Sequence, residues 1–330
     1  MAAEAPRIAL VKLSSLGDVV HAMPVVHDIG TALPQAAIDW AVEPGFAPLL
    51  RRMDGLDDVI ECPLRRWTGA WWTATTRQQF RTFRTRLRWH RYDAILDLQG
   101  LTKSALIARM ARGVRYGLAN RTEGASHEWP ARWLVDHAIR IEPHIHALDR
   151  SRQLAARALG YRAGGTPDFG LHRGAAPSSD DAPTLLCIHG TSRDDKLWPE
   201  ADWIALGRRA IADGWRIALP HAGAAELARA QRLQAALGAA AVVWPALDLG
   251  AVIDRMQGVQ AAIGVDSGLS HIAVALDLPH VQIYNFPTAW RTGPQAAHGH
   301  AHQVSVEGRP TPSFDAVWQA WQTVRPVAFA

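Results

Sequence analysis

The chain has 330 residues, 48% of them hydrophobic and 20% charged, with 14 tryptophans and a formal net charge of +4. That length favours two compact domains, and that composition excludes a disordered or fibrous protein. No stretch reaches the ~18 to 20 apolar residues of a spanning helix, and residues 1–12 lack a secretory pattern. The two cysteines, Cys62 and Cys187, form no CxxC pair. A disulfide scaffold and a thiolate zinc site are therefore not expected, and a reducing cytoplasm is the expected setting.

In chain order, β-rich runs at 7–12, 37–42, 58–62 and 94–98 alternate with helical patterns at 18–33, 77–89, 103–112 and 146–159. Such alternation predicts a parallel sheet covered on both faces. A Gly-, Pro- and Ser-rich passage at 163–183 reads as an interdomain linker. The pattern then restarts, with strands expected at 184–189, 216–219, 240–243, 261–265 and 280–284, and helices at 199–213, 224–237, 249–256 and 269–275. A last helix, 313–324, is expected to cross back to the first domain. Ligands of such sheets bind beyond the carboxyl ends of the strands, so the cleft between the halves is the expected active site and strand-to-helix loops should carry the chemistry.

Charge is unevenly spread. Residues 62–115 carry twelve cations against Asp93 and Asp97, a local excess of +10 that leaves −6 for the remainder. One-sided basicity implies an anionic partner: nucleic acid, a phospholipid surface, or a phosphorylated or carboxylated acceptor. Arg77, Arg81, Arg84, Arg88 and Arg91 recur at helical spacing beside an apolar stripe of Phe80, Phe83 and Leu87. A solvated helix face explains the stripe as well as a binding face does. Only Lys12, Lys103 and Lys196 are lysines among 35 cations, and each lies beside a segment that stands out for other reasons.

Three strand-to-helix loops stand out. In Lys12-Leu13-Ser14-Ser15-Leu16-Gly17-Asp18, the aspartate opens a helix, where it serves either as a cap or as a fixed general base. In the loop from His189 to Pro199, the hydroxyls of Thr191 and Ser192 with Lys196 make a compact anion site. Asp194 and Asp195 there suit capping or salt-bridging better than a divalent metal. In the loop from Gly264 to His271, Ser267, Gly268 and the helix amides suit a diphosphate. This third loop is neither GxGxxG nor GxxxxGK[ST], which removes support for hydride transfer and for a P-loop. His298, His300 and His302 have an HxHxH spacing, but no nearby carboxylate or cysteine completes a zinc set, and a surface tract is expected.

KLSSLGD, HGTSRDDKLWP and VDSGLSH, in this order and spanning nearly the whole chain, resemble the ADP-heptose:lipopolysaccharide heptosyltransferases. The central loop and the run Arg65-Arg66-Trp67 resemble the heptosyltransferase I branch. The resemblance implies an α/β GT-B fold of two facing Rossmann-like doubly wound parallel-sheet domains. Residues 1–165 would bind the acceptor, residues 184–312 would bind the nucleotide sugar, and 313–330 would form the crossing helix. It further implies inverting transfer of L-glycero-D-manno-heptose from ADP-heptose to the first Kdo of Kdo-lipid A, without metal or cofactor, on the cytoplasmic face of the inner membrane. Carried over position by position, it makes Asp18 the base. Thr191, Ser192, Lys196, Asp266, Ser267, Gly268 and His271 would bind the donor, with Glu226 at the ribose and Leu247 at the adenine. Arg65, Arg66 and Lys103 would hold the acceptor. Gly69, Ser267 and the stretch Tyr284-Asn285-Phe286-Pro287-Thr288 depart from the family pattern.

Two other functions fit parts of the same sequence. A heptosyltransferase II would share the donor but take an already heptosylated core. A non-enzymatic arginine-rich nucleic-acid binder would explain the cations yet leave the three loops without a purpose, and no nucleic-acid partner is expected.

Overall fold

The computed structural model describes residues 5–172 and 182–326. Of the expected linker, 173–181 lie outside the described residues. The chain divides into two compact units, 1–171 and 172–330.

The first unit runs β1 (Arg7–Val11), α1 (Leu16–Ala22), α2 (Pro24–Ala32), β2 (Ala37–Val42), α3 (Ala47–Leu50), β3 (Asp58–Glu61), α4 (Leu64–Ala70), α5 (Ala74–Leu87), β4 (Tyr92–Asp97), α6 (Thr102–Met110), β5 (Gly113–Leu118), β6 (His137–Ile139) and α7 (Ala147–Leu159). The sheet order is β3-β2-β1-β4-β5-β6, with every pairing parallel. The second unit repeats the plan: β7 (Thr184–Ile188), α8 (Glu200–Ala212), β8 (Arg216–Leu219), α9 (Ala224–Leu237), β9 (Ala241–Val243), α10 (Leu249–Gln257), β10 (Ala261–Val265), α11 (Gly268–Ala275), β11 (His280–Tyr284), α12 (Ala289–Thr292), β12 (Gln303–Glu307) and α13 (Phe314–Val324). Its order, β12-β11-β10-β7-β8-β9, is again parallel throughout and is the first unit's order read from the other edge. In both sheets the direction of winding reverses between the first and fourth strands, β1/β4 and β7/β10. Doubly wound sheets bind ligands at that switch point.

The central strands are apolar because helices cover both of their faces: Ile8 to Val11 and Ala261 to Val265 are all buried. The helix expected over 18–33 is two helices. Pro24, which lacks an N–H, starts α2 after α1 has ended. Strands β5, β6 and β12 were not expected. β5 carries two glycines, β6 has three residues with no buried position, and β12 has a mixed polar sequence, so none shows a clean apolar run. Gly113 admits β5 beside β4, since a Cβ there would stand 2.2 Å from the Tyr92 carbonyl oxygen.

The last helix, α13, packs within the second unit: its Val317, Trp318, Trp321 and Val324 join the core with Trp198, Trp203 and Trp215. A helix this apolar on one face buries against the nearest exposed sheet face, here β11 and β12. The histidine tract corrects an expectation. His298 and His300 are buried and meet edge to face, with ring centroids 6.4 Å apart, so they form no surface tract.

Candidate active site

The first-unit site is built at the β1/β4 switch point. Lys12, directly after β1, is 2% exposed; its Nζ donates to the Leu98 carbonyl at 3.3 Å and lies 3.6 Å from Asp18 Oδ1. Asp18 stands in the first turn of α1, where Oδ2 accepts from the Ser15 amide at 3.2 Å and the Ser15 hydroxyl at 2.8 Å. Buried Arg150 of α7 approaches Oδ1 to 3.9 Å. The carboxylate therefore caps its helix with one oxygen and faces two cations with the other, while its side chain stays 41% exposed. Burial pushes its pKa up, but the Lys12 ammonium, the Ser15 hydrogen bond and the Arg150 guanidinium outweigh that and hold it well below the usual carboxylate range. Desolvation lowers the Lys12 ammonium, against the attraction of Asp18. Asp97, at the end of β4, is raised by burial to about 6 despite bonds from the Gln99 amide, the Gly100 amide and the Ser104 hydroxyl.

Arg65 and Arg66 open α4 and Lys103 opens α6, so all three leave the strand ends that bear Asp18. They are exposed, and among the described residues none is bonded to Asp18. The neighbouring Trp67 is buried and anchors α4 edge to face on Phe80 and Phe83.

The second-unit site is built at the β7/β10 switch point. Lys196 Nζ pairs with Asp266 Oδ2 at 2.6 Å, His271 Nε2 lies 3.5 Å from the other carboxylate oxygen, and the Thr191 hydroxyl donates to the Asp266 carbonyl at 3.2 Å. Burial pushes the Asp266 carboxyl up, but the His271 hydrogen bond and the Lys196 charge prevail and hold it well below its usual range. Ser267 occupies the N-cap position of α11 without a side-chain capping bond, and its buried hydroxyl has no hydrogen-bond partner among the described residues. The first amides of α11, starting at Gly268, have no partner within the helix and point out of its start. Ser192 is exposed. Asp195 forms an ion pair with Arg193 in its own loop, as the salt-bridging alternative to a metal requires.

Glu226 sits in the first turn of α9, its Oε2 accepting from the Ala222 amide at 2.6 Å. Gly190 of the β7 loop lies directly beneath it: a Cβ on Gly190 would meet Glu226 Cδ at 2.4 Å. Leu247 is half-buried in the turn after β9, at the same strand edge. Among the expected donor residues, Thr191, Lys196, Asp266 and His271 are thus bonded together, with Ser267 and Gly268 adjoining and Glu226 on the neighbouring loop.

Two supporting residues were not foreseen. Arg150 comes from a helix far along the chain, and only the folded contact reveals it. Asn285 donates to the carbonyls of Asp195 and Leu197 at 2.9 Å each, and its Oδ1 accepts from the Thr311 hydroxyl at 2.9 Å. It therefore clamps the loop that presents Lys196. Its place in a stretch that departs from the family pattern was the available signal.

Two Rossmann-like doubly wound domains of this topology make up the GT-B fold. The profile of glycosyltransferase family 9 (heptosyltransferase) matches residues 80–319. The lipopolysaccharide heptosyltransferase 1 of Pseudomonas aeruginosa is 38% identical over 280 residues, 84% of this chain and 78% of that protein. The one from Escherichia coli K12 is 37% identical over 283 residues, 84% of this chain and 87% of that protein. The structure of E. coli heptosyltransferase WaaC with ADP superposes with a TM-score of 0.86 at 32% identity, covering 96% of this chain and 99% of that one. The chain belongs to glycosyltransferase family 9, the heptosyltransferases. The lipopolysaccharide heptosyltransferase 2 of E. coli K12 is 25% identical over 302 residues, which does not favour the second branch, and the comparisons do not favour a nucleic-acid binder.

Proposed function

We propose that this protein transfers L-glycero-D-manno-heptose from ADP-heptose to the first Kdo of Kdo-lipid A, with inversion at the anomeric carbon. The observation that carries the reaction type is Asp18: an ionised, partly open carboxylate fixed at a switch point. Inversion needs one base and one in-line attack. The acceptor hydroxyl oxygen bonds to the anomeric carbon, the bond from that carbon to the diphosphate breaks with its electron pair going to ADP, and the hydroxyl proton passes to Asp18. A carboxylate of low proton affinity suffices, because the attacking oxygen becomes strongly acidic as its bond to carbon forms. The charge gathered on ADP falls to Lys196, the Ser267 hydroxyl and the bare α11 amides. Glu226 holds the ribose and Leu247 borders the adenine.

The names of relatives at 36–38% identity, lipopolysaccharide heptosyltransferase 1, support the substrates, as does the neighbouring structure with ADP-2-deoxy-2-fluoro heptose, at a TM-score of 0.81 and 32% identity. Arg65, Arg66 and Lys103 suit an acceptor bearing phosphates and carboxylates. A lipid-anchored acceptor requires work at a membrane surface, on the cytoplasmic face of the inner membrane. Among the described residues no helix is long and apolar enough to cross a membrane.

The test is incubation of pure protein with ADP-heptose and either Kdo-lipid A or the heptosylated core, with and without chelator, reading products by mass. One added heptose on Kdo-lipid A in both buffers is expected. Product on the heptosylated core alone would move the protein to the second branch.

A further inference from the structure

Helix α5 carries a surface that the transfer reaction leaves unused. In a parallel sheet the connection from β3 to β4 returns from the carboxyl edge to the amino edge, so α5 runs antiparallel to the strands. Its fourteen residues extend about 21 Å away from the edge that bears Asp18. Phe83 and Leu87 bury its inner face in the core. Its outer face presents Arg77, Arg81 and Arg84, which form no ion pair among the described residues. No acidic residue occurs from 62 to 92, so none lies within α4 or α5, and Asp58 of β3 is already paired with Arg86. Repulsion among these guanidinium groups is left for an external anion to relieve.

Tryptophans flank the arginines. Trp71 and Trp72, just before α5, are 49% and 74% exposed, and Trp89, just after it, is 75% exposed. Trp71 packs edge to face on Phe80 at 5.0 Å, and Phe80, Arg81, Arg84, Arg88 and Trp89 line one shallow cleft of about 470 Å³. Exposed indoles cost hydration unless an interface takes them. Indole rings at both ends with arginines between them match an anionic bilayer surface, where indoles settle among headgroups and each cation gains about 1 kcal/mol. A single nucleic-acid strand would instead ask for aromatic planes at base spacing along a basic groove, whereas these rings stand a helix length apart.

We infer that the outer face of α5, with Trp71, Trp72 and Trp89, is a docking surface for anionic phospholipid bilayers, separate from the residues that hold the acceptor. The inference does not depend on Asp18 being the base.

The test is co-sedimentation of the full-length protein with vesicles of phosphatidylglycerol mixed into phosphatidylcholine and with vesicles of phosphatidylcholine alone, following tryptophan emission. Salt-sensitive binding and a blue shift are expected with the anionic vesicles only. Arg81→Gln and Arg84→Gln together should weaken it about 25-fold, about fivefold for each charge, and Trp72→Ala with Trp89→Ala should reduce the blue shift to the share of Trp71. Transfer to a deacylated, water-soluble Kdo acceptor should be unchanged in both variants, which also shows that they fold. Equal vesicle binding by variants and parent, no binding by the parent, or binding of polyuridylate in preference to vesicles would overturn the inference. So would loss of transfer to the soluble acceptor, which would place α5 in the chemistry. If the parent transfers no heptose to any acceptor yet binds vesicles through α5, the proposed reaction fails and the docking surface stands.

Discussion

Lys12 Nζ stands 3.6 Å from Asp18 Oδ1 and bonds the Leu98 carbonyl, so a buried ammonium ties the end of β1, the end of β4 and the first turn of α1 together. The lysine has no route to solvent, and its charge is stabilised chiefly by that carboxylate. In Lys12→Met the apolar stem is kept and the charge removed, so the carboxyl of Asp18 rises toward its ordinary range. The rate of heptose transfer should then acquire an acid limb that the parent lacks over the same pH range. A pH profile superimposable on the parent's would show that Lys12 only fills space.

Asp18→Asn keeps the shape and part of the Ser15 capping while removing the proposed base. Transfer should fall by about 10²- to 10⁴-fold, and ADP affinity should stay at the parent value because Lys196, Asp266 and Glu226 belong to the second unit. Calorimetric titration with ADP beside single-turnover rates reads both. Parallel loss of affinity and turnover would make Asp18 a structural cap.

The carboxylate at Glu226 is held in place by what Gly190 lacks. A methyl group there would fall 2.4 Å from Glu226 Cδ and 2.5 Å from its Oε1, so Gly190→Ala forces Glu226 off the Ala222 amide. ADP binding should weaken by about tenfold, a loss of ~1.4 kcal/mol from one charge-assisted hydrogen bond, with little change in melting temperature. Unaltered ADP affinity would remove Glu226 from the ribose site.

How far these sites were legible depends on where their partners lie in the chain. The two-unit α/β plan followed from apolar runs such as 7–11 and 261–265 alternating with helical spacing, because burial on both faces writes itself into composition. Edge strands such as β6 and β12 are mixed in polarity and together bury only Gln303, so they carry no such mark. Within the sites, Thr191 and Lys196 are five residues apart and announce themselves as one loop. Arg150 reaches Asp18 from 132 positions away, and Asn285 reaches Leu197 from 88; tertiary contacts of that span leave no local pattern. The burial of His298 and His300 has the same origin.

Asn285 gives a prediction that separates positioning from chemistry. Its amide satisfies two loop carbonyls, and its own carbonyl satisfies Thr311. Asn285→Ala strands those groups at a cost of about 1 to 3 kcal/mol and loosens the turn that carries Lys196. The KM for ADP-heptose should rise several-fold while the rate at saturating donor changes less. A fall in saturated rate with KM untouched would instead assign Asn285 to the reacting centre.

Buried histidines of the second unit make its stability fall in acid. Desolvation lowers both His189 and His280 to about 4 from an ordinary value near 6.5. The unfolded chain therefore binds protons that the folded unit refuses between these values. Their stabilising contribution is complete above pH 6.5, declines as pH falls toward 4, and changes no further below it, with an upper bound of about 3 kcal/mol for each histidine. His280 lies 3.0 Å from the Ala262 carbonyl through Nδ1, a contact that the Asn amide reproduces without titrating. Urea unfolding of His280→Asn between pH 7 and 4 should therefore show a smaller loss of stability than the parent, with His189 and His300 still contributing. An unchanged slope would place the acid sensitivity in other groups, because a histidine that remains neutral in the folded unit must be protonated when it unfolds at low pH.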